Sequence, residues 1–250
     1  MTRIILSGCS GAMGRAISLA VSEREDIEIV AGIDPNAISS EFPIFTNPSV
    51  CDVAADVIVD FSHTSALPGL LSYGRPVVLA TTGYSEEEIC AIHEAAKTTP
   101  IFYTGNMSLG INLMQELCRI AARVLGGRFD IEIIEKHHNK KIDAPSGTAL
   151  MLANSVASAL EEKPNYEYNR QAKRERRAKN EIGIHAIRGG TIVGEHEVIF
   201  AGQDEVLTIS HSAASKAVFA SGALSAAVFM QGKPAGLYDM KDLIGQEGRA

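Results

Sequence analysis

A surplus of positive charge is missing from this chain of 250 residues: 23 Lys and Arg stand against 30 Asp and Glu, a formal net charge of −7. General affinity for nucleic acid is therefore not expected, although a net-acidic protein can still hold an anionic small molecule in a local basic pocket. Cysteine is scarce as well. Cys9, Cys51, Cys90 and Cys118 lie far apart, without the paired spacing of metal ligands, so they read as reduced thiols and no metal site is expected. No apolar run reaches the roughly 20 residues that span a bilayer. The N-terminus enters a strand-like run without a charged and then apolar leader, so the expected compartment is the cytoplasm, with no membrane partner. Disorder is not the default either, with 46% hydrophobic against 21% charged residues. That is an ordinary soluble profile, long enough for one large domain or two small ones.

What is present begins with Ile4, Ile5 and Leu6, a short buried-strand pattern. Gly8, Gly11 and Gly14 follow at once, then a helix-like run to about Val21. Strand, glycine turn and helix in this order form the phosphate-binding start of a dinucleotide fold. The G-x-x-G-x-x-G spacing is a variant of the usual pattern, and a plain glycine-rich strand-to-helix turn is the bland alternative. The next strand, Ile27 to Ile33, runs into Asp34, about the ~20 residues on where such folds place the acid that accepts ribose hydroxyls. Pro35 and Asn36 follow it, with no arginine beside it to receive a 2′-phosphate, so NADH should be at least as acceptable as NADPH.

Further strands are expected at Ala55 to Phe61, Pro76 to Ala80 and Ile101 to Tyr103, with helices at Glu86 to Lys97 and Leu109 to Leu125. In an open parallel sheet, ligands bind beyond the carboxyl ends of the strands. Ala80, Thr81 and Thr82, and Thr104, Gly105, Asn106 and Met107, are therefore candidate nicotinamide-ribose contacts, with ordinary turn chemistry as the alternative.

A different constellation follows between Asp130 and Leu150. Phe129, Ile131 and Ile133 alternate with Asp130 and Glu132, so His137 and His138 should lie just past the carboxyl end of a strand. Lys140 and Lys141 come next, then Asp143, Pro145, and Ser146, Gly147 and Thr148 ahead of a helix-favouring run from Ala149 to Leu160. Imidazole is the side chain best placed to move a proton near neutral pH, and a helix start favours an anion. The plain alternative is a strand-end histidine pair, solvated lysines and a helix cap. Beyond it, Glu161 to Asn180, with the charge run Lys173 to Arg177, reads as a solvated face. Ile182 to Ala186, Thr191 to Val193, His196 to Ala201 and Glu205 to His211 read as an antiparallel meander. Lys216 to Met230 is an alanine-rich helix expected to return to the first domain. The expected fold is thus α/β: a Rossmann-like dinucleotide-binding domain over 1–107 and 217–250, and an α+β substrate domain with an open mixed sheet over 108–216.

Several segments together resemble the dihydrodipicolinate reductase (4-hydroxy-tetrahydrodipicolinate reductase) family of the diaminopimelate route to lysine. They are Gly8 to Arg15, Val59 to Ser62, Thr81 to Gly83, Asn106 to Ser108, Glu135 to Ala149, Ile182 to Gly190, Ile192 to His196 and Gly236 to Met240. The resemblance covers essentially the whole chain, and the segment from the paired histidines to Ala149 is its most specific part. It implies NADH- or NADPH-dependent reduction of a cyclic, conjugated imine dicarboxylate, and a homotetramer built through the second domain's sheet. Carried over by position, it makes His137 the proton donor and Lys141 its cationic partner. His138, Gly147 and Thr148 then hold substrate carboxylates. Gly8, Cys9, Ser10, Gly11, Ala12, Met13, Asp34, Ala80 to Thr82 and Thr104 to Met107 hold the cofactor. The residues alone leave open which histidine does which job; the family pattern selects His137.

Overall fold

The computed structural model describes residues 1–36 and 40–247. In chain order its elements are β1 (Thr2–Ser7), α1 (Ala12–Ser22), β2 (Ile27–Ile33), β3 (Ile44–Phe45), β4 (Val57–Asp60), α2 (Leu67–Ser72), β5 (Val77–Leu79), α3 (Glu86–Ala95), β6 (Pro100–Tyr103) and α4 (Leu109–Leu125). They continue with β7 (Asp130–His137), α5 (Gly147–Ala157), β8 (Asn165–Glu167), β9 (Glu181–Arg188), β10 (Gly194–Ala201), β11 (Val206–Ala213), α6 (Ala217–Met230), β12 (Gly236–Tyr238) and α7 (Met240–Glu247). The chain divides into two compact units, Met1–Leu109 with Lys216–Ala250, and Gly110–Ser215.

The first unit holds a seven-stranded sheet in the order β12-β6-β5-β4-β1-β2-β3, parallel throughout. The continuous apolar runs of its strands have a simple cause. Successive side chains point to opposite faces, and both faces are covered. Ile4, Leu6, Val57, Val59, Val78 and Phe102 pack into one core with α6. Ile5, Ile58, Val77, Leu79 and Ile101 pack into the other. Strand order reverses at β1, between β2 and β4, and that switch point leaves a crevice at the carboxyl ends of the strands. The two-residue β3, at the sheet edge, carries too short a run to be read from periodicity.

The second unit holds a mixed five-stranded sheet in the order β11-β10-β7-β9-β8. Ile131, Ile133, Ile182, Ile184, Val198 and Phe200 face one way, onto Ile111, Met114 and Cys118 of α4 and Leu152 and Val156 of α5. The other face is ionic: Lys136 bonds Glu195 and Glu197, and Glu132 bonds His185 and Arg177. The expected meander is corrected here. Thr191 to Val193 is a turn rather than a strand, and β7 lies between β9 and β10, parallel to the first and antiparallel to the second. An apolar strand such as β7 needs a ladder partner on both edges, and consecutive strands are separated to supply them. The charge run is corrected in part. Lys173 to Arg176 are exposed, but Arg177 donates to Glu132, Asp130 and the Ile131 carbonyl and so pins the loop to the edge of β7.

Helix α6 is apolar on every side because it is buried in the first unit, against α1, β1, β4, β5 and β6. At Gly222 a β-carbon would come 1.7 Å from the Met107 carbonyl oxygen, so helix and backbone approach as only glycine allows. Gly245, in α7, is exposed with nothing within 4 Å of its β-carbon position. Gly222→Ala is expected to cost roughly 1–3 kcal/mol by overpacking, whereas Gly245→Ala should gain up to about 1 kcal/mol of helix propensity. Urea unfolding midpoints at constant slope check the opposite signs.

Candidate active site

The glycine turn is built where β1 hands the chain to α1. Gly8 has φ of 78°, and a β-carbon there would lie 2.6 Å from the Phe61 carbonyl oxygen; dihedral and close approach both demand glycine. A β-carbon at Gly14 would fall 2.4 Å from the Gly8 and Cys9 carbonyl oxygens, so the helix can start directly under the turn. Gly11 is the N-cap of α1 and offers its first amides no side-chain acceptor, an arrangement that accommodates a pyrophosphate. Gly8, Ser10, Gly11, Asp34 and Asn36 line a cleft of about 550 Å³.

Asp34 follows β2 and accepts from the Ser10 amide at 3.1 Å, the Ser10 hydroxyl and the Asn36 amide at 2.9 Å. Burial pulls its carboxyl upward, but these donors outweigh that and hold it below the ordinary aspartate value. It is therefore an anion at neutral pH. The structure adds a cation the sequence reading did not place here: Arg15, on α1, donates to the Ser10 carbonyl. Ala12 is exposed at the helix start, while Cys9 and Met13 pack into the core beneath the turn.

The remaining candidate cofactor contacts lie at the carboxyl ends of β5 and β6 and are not among the residues lining that cleft. Thr81 is buried and gives its hydroxyl to Asp60 at 2.7 Å; Ala80 is buried and Thr82 exposed. Asn106 accepts the Ser108 amide at 2.8 Å, just ahead of α4. Thr104 accepts from the Asn106 amide, Gly105 is exposed, and Met107 is core. Asp60, fully buried at the end of β4, also accepts the Ser62 hydroxyl at 2.5 Å. It thereby ties the turns after β4 and β5 together.

In the second unit, β7 runs one residue further than the alternation suggested. His137 is its last residue and His138 the first beyond it. Glu135 shares the core-facing register with Ile131 and Ile133 and is fully buried. Its two carboxylate oxygens accept both terminal nitrogens of Arg188 at 2.7 and 2.8 Å, His137 Nδ1 at 2.6 Å and the Ser146 amide at 3.0 Å. Burial would raise this carboxyl; Arg188, His137 and Ser146 more than reverse that and hold it low. With Nδ1 engaged, the other ring nitrogen of His137 faces Gly194, where a β-carbon would lie 3.2 Å away.

His196, on β10, packs edge-on against His137 with ring centroids 5.3 Å apart. Its Nε2 meets the Ser146 hydroxyl at 3.1 Å, and that hydroxyl also accepts the Ala149 amide as the cap of α5. Burial, with help from the charges of His137, His211 and Lys141, lowers His196 to about 4, so it is neutral at physiological pH. Ser146 is thus spent on Glu135, Ala149 and His196. Gly147, the first residue of α5, is exposed with open space over it, and Thr148 comes next. His138 Nδ1 is buried with no hydrogen-bond partner among the described residues. Lys141 pairs with the exposed Asp143 at 2.9 Å. Lys141, His137, His138, Gly147 and Thr148 all belong to the second unit and the glycine turn and Asp34 to the first.

Sequence reading passed over Glu135, Arg188 and His196 as site components. The signal was present for the first: a Glu two residues before a His on a strand puts both on one face, and a charge in a core-facing register needs a partner. Arg188 lies opposite His137 across the β7–β9 ladder, a pairing visible only once strand order is known. Cys118, which a thiol-based dehydrogenase would need as nucleophile, is fully buried on α4 and its thiol is pushed up to about 12.

Comparison with known proteins agrees over the whole chain. Residues 2–107 match the family model described as "Dihydrodipicolinate reductase, N-terminus", and 110–244 the one described as "Dihydrodipicolinate reductase, C-terminus". A 4-hydroxy-tetrahydrodipicolinate reductase of Caldanaerobacter subterraneus is 53% identical over 248 residues, covering 98% of each chain. One of Clostridium novyi is 53% identical over 249 residues, again covering 98% of each. The solved structure of dipicolinate-bound dihydrodipicolinate reductase from Paenisporosarcina superposes with a TM-score of 0.79 at 25% identity, covering 96% of this chain and 97% of that one. A structure described as a "probable dehydrogenase" from Thermotoga maritima, at 11% identity and a TM-score of 0.61, shares the fold.

The depressed His196 makes a pH prediction. Unfolded, a histidine takes up its proton near 6.5; folded, His196 does so only near 4. Its contribution to stability is therefore intact above pH 6.5 and lost as the pH falls towards 4, by roughly 3 kcal/mol in all. Thermal unfolding of His196→Gln between pH 6.5 and 4.5, above the carboxylate range, should show a shallower loss than the parent protein.

Proposed function

The chain belongs to the dihydrodipicolinate reductase family, and from that premise we infer that it reduces 4-hydroxy-tetrahydrodipicolinate to tetrahydrodipicolinate with NADH or NADPH in the diaminopimelate route to lysine. The observation that carries the reading is that one chain holds both halves of the chemistry. The first unit has a glycine-turn cradle with an anionic Asp34, and the second has an anion-favouring helix start beside His137. The geometry of Gly8, Gly14 and the uncapped start of α1 fits a dinucleotide. When bound, that cofactor supplies a hydride to the conjugated imine, formed from the substrate by loss of water.

The chain's own groups do the rest. Asp34 accepts from the adenosine ribose, while Ser10 and Asn36 hold its carboxylate in place. Gly8 to Met13 receive the pyrophosphate, and Ala80 to Thr82 and Thr104 to Met107 flank the nicotinamide end. Gly147 and Thr148, at the positive end of the α5 dipole, take one substrate carboxylate. His138, whose buried Nδ1 lacks a partner among the described residues, takes part in the same recognition. Lys141 holds a positive charge near the reacting ring. His137 delivers from Nε2 the proton that neutralises the carbanion-like position left by hydride addition. Oligomerisation as a tetramer through the second unit's sheet is part of the same reading; a solution mass four times the chain's 26.7 kDa is the expected result.

Loss of NADH absorbance on adding the product of the preceding synthase step tests the activity; protein that binds NADH without such turnover would refute it. His137→Gln should lower kcat by roughly a hundredfold or more with NADH binding within about twofold of the parent. An unchanged kcat removes His137 from the role. Asp34→Ala should weaken NADH more than NADPH, since the carboxylate accepts from a ribose and repels a 2′-phosphate. With Arg15 at the same turn, measurable NADPH turnover is expected in the parent protein.

A further inference from the structure

We propose that Glu135, clamped by Arg188, is the positioning residue that fixes the tautomer and orientation of His137 and so decides which ring nitrogen carries the catalytic proton. The proposal rests on the reading of His137 as proton donor. Glu135 sits two residues before His137 on the same face of β7 and is fully buried. Its carboxylate is held from three directions: by the Arg188 fork from β9, by the Ser146 amide at the start of α5, and by His137 Nδ1. Arg188 is itself fixed, donating in addition to the Asp143 and Ile187 carbonyls. A bidentate guanidinium and one amide already give each carboxylate oxygen a donor. The bond to His137 is beyond what a structural ion pair needs.

The consequences follow from hydrogen-bond polarity. An ionised carboxylate only accepts, so neutral His137 must carry its proton on Nδ1 and leave Nε2 as the site that takes up and delivers the exchangeable proton. His196, neutral and edge-on to the ring, adds no competing charge. Glu135→Gln reverses the polarity. Its amide nitrogen cannot face both Ser146 N–H and Arg188 without two donor–donor clashes. It is therefore driven to the His137 side, where only one such clash remains and Nδ1 can switch to acceptor. The neutral ring must then carry its proton on Nε2.

Long-range 1H–15N correlation spectra of 15N-histidine-labelled protein read the tautomer directly, with His137→Gln identifying the resonance. The parent protein should show the Nδ1–H form when His137 is neutral; an Nε2–H form there overturns the proposal without any variant having to fold. Glu135→Gln should switch the ring to Nε2–H and lower kcat roughly tenfold to a hundredfold, with the KM for NADH within about twofold. In a His137→Gln background the same change should alter kcat by less than about twofold, because the group it acts through is gone. An equal loss in both backgrounds means a merely structural role and overturns the proposal. If His137→Gln leaves kcat unchanged, the donor reading fails and the catalytic consequence with it. If His137→Gln is impaired while Glu135→Gln keeps both tautomer and kcat, only the Glu135 assignment fails.

Discussion

A carboxylate removed from water must be surrounded by donors, and both units of this protein are arranged around one that is. Asp60 and Glu135 are each fully buried, each on a strand leading to its carboxyl-end turns. Satisfying them draws separate segments together: the turns after β4 and β5 around Asp60, and β7, β9 and the start of α5 around Glu135. The two sites reach opposite electrostatic outcomes for a clear reason. Asp60 is met by hydroxyls and an amide, which soften but do not cancel the cost of burial, so its carboxyl is raised. Glu135 is less deeply buried and is met by a guanidinium, an imidazole and an amide, and its carboxyl is lowered. The positive charge of Arg188 and the shallower burial of Glu135 together account for the opposite signs. One turn cluster is therefore held together by hydroxyl donors and the other by a guanidinium.

The same economy of donors distinguishes the two helix starts. Helix α1 begins behind Gly11, with no side chain to take its first amides, and the adjoining Asp34 is kept ionised by Ser10 and Asn36. Helix α5 begins behind Ser146, whose hydroxyl takes the Ala149 amide and whose own amide goes to Glu135. Capping normally stabilises a helix by about 1 kcal/mol. Here the cap also connects the helix to His196, so the position of Gly147 and Thr148 is tied to the edge-on histidine pair. Moving the helix start would move the ring that faces it. The first unit thus leaves its helix end open, whereas the second fixes its own and exposes only Gly147 beyond the cap.

How much of this could be read from the sequence depended on whether the controlling contact was local. β1, β2 and α4 were legible because period-two and period-3.6 patterns are set by residues within the element; Ile27–Ile33 and Leu109–Leu125 have the expected limits. Gly8 and Asp34 were legible because the glycine turn fixes a short chain distance between them. The order of the second sheet was not, since β9 and β10 each alternate in a way that fits a meander, and only the need of β7 for two partners separates them. Arg177 was hidden in a charge run for the same reason: one of the run's three guanidinium groups finds carboxylates some forty-five residues away. The Glu135 network falls between these cases. Glu135 and His137 share a face by spacing alone, so their contact was available from the sequence, but the carboxylate's charge state was not, because it is set by Arg188 across a parallel ladder. A titratable residue in the core-facing register of a strand is thus a local signal whose chemistry is decided by a non-local partner. In this chain that partner holds the carboxylate whose contact commits one nitrogen of the strand-end His137.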